Sequence, residues 1–265
     1  MSHRINLGVY GACGRMGRRV IQLASDDPNF KVVGAYELAD HPQLKQDIGE
    51  WCGMGSAKVF VSDQIQLEPL QVVIDFSTPE GTMQALKTCM ARRIPLLVAT
   101  TGHSPAEMKE IRAASHETAI MKAPNLSLAM NLLMQLLATT AKALQSQDFD
   151  VEIIEKHHRF KKDAPSGTAL HLADIIQRAM GQTKLRHGRE GLVGERPREE
   201  IGIHAVRTGD NVGEHNVLFS TLGETLELTH RAHSRDCYVR GALHAAKFLA
   251  SRGPGWYEMR EVLGF

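Results

Sequence analysis

Residues 5–37 constrain the fold of this chain more than any other stretch. Ile5–Tyr10 is a short apolar run, and Gly11-Ala12-Cys13-Gly14-Arg15-Met16-Gly17 follows at once. Arg18–Ser25 then sets Val20, Ile21 and Leu23 at helical spacing, and Lys31–Tyr36 is a second apolar run closed by Glu37. The order is strand, glycine turn, helix, strand, acid. Glycines in such a turn permit a sharp reversal and let backbone amides approach a pyrophosphate, while the helix start behind them attracts anions. The spacing is Gly-x-x-Gly-x-x-Gly rather than the commoner Gly-x-Gly-x-x-Gly, and an unspecialised strand–helix–strand turn would share this outline. Glu37 tips the reading toward a dinucleotide, because it lies 20 residues after Gly17. A carboxylate there can hydrogen-bond the ribose of an adenosine half.

The same rhythm continues. Val72–Phe76, Leu96–Thr100 and the weaker Ile120–Lys122 are strand-length apolar runs, and Gly81–Arg92 and Pro105–Ser115 are helix-like stretches between them. Alternation of this kind predicts a parallel sheet with right-handed crossovers, whose ligands bind beyond the carboxyl ends of the strands. Ser77–Thr78, Thr100–Gly102 and Pro124–Ser127 would line that crevice with the glycine loop.

From Asp150 the character changes. Val151–Glu155, Ile201–Arg207, Asn216–Thr221 and Thr225–His230 read as strands, with one helix over Ala169–Met180. Gly181–Glu200 is polar and charged and reads as a long loop. Tyr238–Ser251 returns to helical spacing. The fold class expected is α/β, a Rossmann-like parallel-sheet nucleotide-binding domain plus an α+β domain with an open mixed sheet. An open sheet has edges to cover, so self-association into a homo-oligomer is expected.

Net charge is +1 over 265 residues, which offers no global attraction to nucleic acid or membrane. The four cysteines are widely spaced and unpatterned, as in a reducing compartment rather than a disulfide framework. The amino terminus lacks the apolar core of a signal peptide. The most apolar helical run, Leu126–Leu144, is interrupted by Asn131, Gln135, Thr139, Thr140 and Lys142; it reads as a buried or interface helix, and a cytoplasmic location is expected.

Residues 155–168, Glu-Lys-His-His-Arg-Phe-Lys-Lys-Asp-Ala-Pro-Ser-Gly-Thr, carry the densest chemistry. Imidazoles exchange protons near neutral pH. Lysine brings a compact charge or a proton. Ser166, Gly167 and Thr168 open a helix whose first amides attract anions. Together they describe a pocket for a small acidic substrate that must be protonated. A basic run can also be a solvated face or a nucleic-acid patch, but the shaped Asp-Ala-Pro-Ser-Gly-Thr turn argues against a loose charge cluster. Neighbouring histidines on an extended segment point apart, and no metal-ligand spacing supports them, so no metal is expected.

The stretches Gly-Ala-Cys-Gly-Arg-Met-Gly at 11–17, Val-Ile-Asp-Phe-Ser-Thr-Pro-Glu-Gly-Thr at 73–82, Ala-Thr-Thr-Gly at 99–102, Ala-Pro-Asn-Leu-Ser at 123–127, the block at 155–169, Arg-Glu-Gly…Gly-Glu-Arg at 189–196 and Arg-Thr-Gly-Asp-Asn-Val-Gly-Glu-His at 207–215 resemble the 4-hydroxy-tetrahydrodipicolinate (dihydrodipicolinate) reductase family over nearly the whole chain. The resemblance implies NADH- or NADPH-dependent reduction of a cyclic imine dicarboxylate to tetrahydrodipicolinate in the diaminopimelate route to lysine, by a homotetramer without a metal. It places the acid/base on His157 and the proton donor on Lys161. Substrate binding falls on His158, Gly167 and Thr168, and the reading of the helix-opening turn adds Ser166. Cofactor contacts fall on Gly11, Ala12, Cys13, Gly14, Arg15, Met16, Gly17, Glu37, Ala99, Thr100, Thr101, Ala123, Pro124, Asn125 and Leu126. Residues 1–127 with 239–265 would form the dinucleotide domain, and 128–238 the substrate and oligomerisation domain. Many members carry arginine just after the ribose acid; here Leu38 follows Glu37, which favours NADH or leaves both cofactors usable. The alternative is an NAD(H)-binding regulator without catalysis, which cofactor oxidation in the presence of substrate separates from an enzyme.

Overall fold

A computed structural model describes residues 4–65 and 69–265; the first three residues of the amino-terminal segment read above lie outside the described residues. In chain order the elements begin β1 (Ile5–Tyr10), α1 (Arg15–Asp26), β2 (Phe30–Tyr36), α2 (Ile48–Trp51) and β3 (Val61–Ser62). They continue β4 (Val72–Asp75), α3 (Pro79–Arg92), β5 (Leu96–Val98), α4 (Pro105–Ala113), β6 (Ala119–Lys122) and α5 (Leu128–Leu144). Next come β7 (Asp150–His157), α6 (Gly167–Met180), β8 (Lys184–His187), β9 (Glu200–Arg207), β10 (Gly213–Thr221) and β11 (Glu224–Ala232), then α7 (Asp236–Leu249), β12 (Gly255–Tyr257) and α8 (Met259–Val262). Two compact units result, Met1–Leu128 with Tyr238–Phe265, and Ala129–Cys237.

The first unit holds a seven-stranded, all-parallel sheet in the order β12-β6-β5-β4-β1-β2-β3. Parallel strands covered on both faces need apolar side chains on both, and Val72, Val73 and Ile74 are all fully buried. Leu7 and Val9 of β1 face one cluster with Val20 and Ile21 of α1 and Ala242 and Ala246 of α7. Tyr10 belongs to the opposite cluster with Leu86 of α3 and Ile111 of α4. Strand order reverses at β1/β4, the place where open parallel sheets form their crevice.

The second unit is a five-stranded mixed sheet in the order β11-β10-β7-β9-β8. Its central strand β7 alternates strictly: Val151, Ile153, Glu155 and His157 are buried and their neighbours are not. Val151 and Ile153 join Ile201, Ile203, Val217 and Phe219 beneath Leu137 of α5 and Leu172 and Ile176 of α6. The α/β class and the mixed second sheet match the sequence reading. The segment 181–200 is not all loop, however: residues 184–187 form β8, an edge strand paired to β9 alone. All four of its residues are exposed, so no apolar periodicity marked it. The short β3 and β12 are partly buried but span two and three residues, too few to show a period.

Candidate functional site

In the first unit the glycine loop bridges β1 and α1. Gly11 adopts φ +76°, and a Cβ there would sit 2.6 Å from the Phe76 carbonyl oxygen. The amides of Gly11 and Ala12 donate to the Tyr36 carbonyl at 2.9 and 3.2 Å, seating the loop on the end of β2. Gly17 is buried where a Cβ would run into the Gly11 carbonyl, 2.8 Å from its carbon. Gly14 is different. It is exposed at the loop tip, caps α1 with no side-chain hydrogen bond, and a Cβ on it would touch only the Gly11 oxygen at 3.3 Å. Arg15 is exposed beside it, and Met16 packs on the core. A helix start presented in this way suits a phosphate.

Glu37 follows β2 and is nearly buried. Its carboxylate accepts the Cys13 amide at 2.7 Å. Burial pushes its carboxyl up, while that bond and nearby His41 oppose the rise. Cys13, Glu37 and His41 place one potential ligand atom each within 4.8 Å of one another. Burial and then Glu37 push the Cys13 thiol up to about 12, so a metal would first have to displace that proton. The cysteine contributes its main chain to the loop.

The other strand ends are braced from below. Fully buried Asp75 accepts from the Ser77 amide at 3.0 Å and from the Ser77 and Thr82 hydroxyls, which sets the Ser77–Thr78 turn. Lys122 Nζ donates to the Thr100 carbonyl at 2.8 Å. The Ala99 amide donates to the Asp75 carbonyl at 2.9 Å and the Ala123 amide to that of Val98 at 3.3 Å. Asn125 Oδ1 accepts the Ser127 amide at 2.9 Å. Thr101 and Pro124 are exposed, and Leu126 is buried. Neither Asp75 nor Lys122 was singled out from sequence; an acid ending an otherwise apolar strand was the available signal.

In the second unit the alternation of β7 puts Glu155 and His157 on one face, at the polar end of an apolar row. Glu155 is fully buried and His157 nearly so. His157 Nδ1 donates to Glu155 Oε2 at 2.5 Å, an orientation that leaves Nε2 for proton exchange. Burial holds His157 below its ordinary value, and Glu155 opposes this. Glu155 also accepts the Ser166 amide at 3.0 Å and both terminal nitrogens of Arg207 at 2.8 and 2.7 Å. Burial acts to raise Glu155, and these bonds outweigh it, so the group is held below the usual carboxylate range.

Ser166 caps α6 by accepting the Ala169 amide at 3.2 Å, and its hydroxyl meets His215 Nε2 at 3.1 Å. Burial, then His157, hold His215 down to about 3, so it stays neutral. Gly167 and Thr168 form the first turn of α6, and a Cβ on Gly167 would meet open space. Lys161 pairs with Asp163 at 2.9 Å, whereas Lys162 is exposed. Nδ1 of His158 is buried with no partner among the described residues. The structure therefore gathers His157, Ser166 and the α6 start around residues that had no assigned role, Glu155, Arg207 and His215. Glu155 had a local signal, an acid at an inward position of a strand, and Arg207 and His215 open and close the 207–215 stretch that resembles the family, although neither was given a role there.

A parallel sheet in this order with a glycine loop at its switch point, and a second unit whose central strand ends in a buried acid–imidazole pair, fit the class of Rossmann-type oxidoreductases. The family model "Dihydrodipicolinate reductase, N-terminus" matches residues 5–126, and its C-terminal counterpart matches 129–263. The 4-hydroxy-tetrahydrodipicolinate reductase of Rhodopirellula baltica is 46% identical over 269 residues, covering 98% of this chain and 96% of that one. The enzyme of Syntrophus aciditrophicus is 42% identical over 262 residues, covering 97% of each. Among solved structures, a dipicolinate-bound dihydrodipicolinate reductase from Paenisporosarcina sp. TG-14 shares the fold at a TM-score of 0.76 and 23% identity, over 97% of this chain and 98% of that one. An amine dehydrogenase from Mycobacterium smegmatis shares it at 0.61 and 13%, over 96% and 95%. The chain belongs to the dihydrodipicolinate reductase family.

Proposed function

We propose that the protein reduces 4-hydroxy-tetrahydrodipicolinate to tetrahydrodipicolinate with NADH or NADPH, releasing water, in the diaminopimelate route to lysine. Beyond family membership, one observation carries the reading: the buried Glu155–His157 pair stands over a helix start that already accepts Ser166 as its cap. The first unit fits the cofactor, since the outward-facing Gly14 and the α1 start suit a pyrophosphate and Glu37 closes the ribose end. The nicotinamide, when bound, supplies the hydride.

The protein's own groups do the rest. Hydride addition to a conjugated imine leaves a nucleophilic carbon that must take a proton, and a positioned acid supplies it. His157, through Nε2, and Lys161, through Nζ, form the proton-transfer site. His158, Ser166, Gly167 and Thr168 hold the substrate, with the α6 start opposite its carboxylates. Leu38 leaves no cation directly after Glu37, so NADH is favoured or both cofactors serve. We further propose a homotetramer joined through the second unit's sheet, in the cytoplasm. Among the described residues no helix is long and apolar enough to cross a membrane.

The test is an initial-rate assay with enzymatically generated substrate, run with NADH and then NADPH. Substrate-dependent cofactor oxidation is expected. Its absence with both cofactors, in protein that binds them, would point instead to a nucleotide-binding regulator.

A further inference from the structure

Glu155 and Arg207 are 52 positions apart in the chain, yet β7 and β9 pair so that His157 and Arg207 are register partners. The Arg207 guanidinium reaches in two directions. Nη1 and Nη2 grip the two oxygens of Glu155 at 2.8 and 2.7 Å, and Nη2 also donates to the Asp163 carbonyl at 2.6 Å. Asp163 in turn holds Lys161 Nζ at 2.9 Å. One side chain from β9 thus connects both groups assigned above to proton transfer: His157 through Glu155, and Lys161 through Asp163.

We propose that Arg207 is a positioning residue that sets the orientation of His157 and the placement of Lys161 together, acting through Glu155 and the Asp163 main chain. The inference rests on the reduction proposed above. Arginine suits this task because its planar fork grips a carboxylate at two points and has donors to spare for a carbonyl, which a lysine ammonium does not reproduce. With Glu155 fully buried, loss of its partner also leaves an uncompensated charge.

The arrangement has an electrostatic signature. The groups facing His157 are Glu155 on its own strand, Arg207 from β9, His215 from β10 at a ring separation of 5.2 Å, and Lys161 from the following loop with Asp163 beside it. His215 stays neutral, so the charges acting on His157 are Glu155 on one side and Lys161, then Arg207, on the other. Glu155 favours the imidazolium and Arg207 disfavours it. Removing either therefore shifts His157 in opposite directions, which loss of scaffolding alone would not do.

The experiment compares Arg207→Lys, Arg207→Met and Glu155→Gln with the wild type in cofactor affinity, kcat, substrate KM and the pH profile of kcat. In Arg207→Lys, kcat should fall about 10²-fold, the scale of a misplaced reacting group, with cofactor affinity unchanged. The alkaline limb should move down in Glu155→Gln and up in Arg207→Met. An unchanged kcat in Arg207→Lys, or limbs that move together or not at all, would overturn the proposal. If the two charge-removing variants do not fold, Arg207→Lys and Glu155→Asp still carry it, with kcat expected to fall and cofactor affinity to hold. Nitrogen-15 NMR of the His157 ring tests the positioning without substrate. A proton fixed on Nδ1 in the wild type and lost in Arg207→Lys supports it even if the wild type reduces nothing; the same tautomer in both proteins refutes it.

Discussion

Gly14 and Gly17 sit three residues apart in one loop, and the structure assigns them opposite consequences on substitution. In Gly17→Ala the added Cβ drives into the Gly11 carbonyl, 2.8 Å from its carbon and 2.9 Å from Ala12 Cα. These are main-chain atoms, so the loop itself must move, which strains the Gly11 and Ala12 amide bonds to Tyr36. Overpacking costs about 1–3 kcal/mol, and two weakened hydrogen bonds about 0.5–1.5 kcal/mol each. A total of about 2–6 kcal/mol, at about 2–4 °C per kcal/mol for a unit of this size, lowers the first unit's melting temperature by about 4–24 °C. Gly14 has φ −68° and extended backbone, which valine accepts, and the Cβ of Gly14→Val meets only the Gly11 oxygen, at 3.3 Å, which a shift of a few tenths of an ångström relieves. The variant should lose about 1 kcal/mol at the cap and fold. Its side chain, however, occupies the approach to the α1 start. One lost amide–phosphate bond, about 1.5–3 kcal/mol, weakens cofactor binding about 10–100-fold. Calorimetric titration with NADH and a thermal melt of each variant decide the matter. Normal nucleotide affinity in a folded Gly14→Val protein would place the cofactor site elsewhere and refute the reasoning.

Three further outcomes are expected. Lys161→Ala should lower kcat about 10²–10⁴-fold while exposed Lys162→Ala is nearly silent; equally mild effects in steady-state assays would make the basic run a solvated face. Glu37→Ala should weaken NADH more than NADPH, and an unchanged ratio of the two kcat/KM values would mean the ribose end is misassigned. Burial acts to raise Glu152, but Arg189, Arg196 and His204 outweigh it and hold it down at about 2. A depressed carboxyl stabilises the fold above its unfolded value of about 4.3, and that contribution is lost as pH falls through about 2. Denaturant unfolding from pH 6 to 2, followed in Glu152→Gln and wild type, should show the wild-type advantage fading over that window; parallel curves would contradict it.

Local periodicity determined much of this protein. The apolar runs of β1, β2, β4, β5 and β6, the helices between them and the glycine loop are each set by residues within a turn or two, because a strand or helix buries one repeating face. The strand read over Val151–Glu155 stopped short of His157, and only the longer β7 puts Glu155 and His157 on one face. Tertiary structure decided what those residues meet. Arg207 reaches Glu155 because β9 pairs with β7 in one register, and a slip of one residue would turn its side chain to the other face. His215 reaches Ser166 through the β10 register, and β12 completes the first sheet from the far end of the chain. Asp75 became a brace for the Ser77 turn only when the sheet closed over it. These pairings carry no local pattern, since they are selected by burial, which leaves each inward polar group to find a partner from another strand.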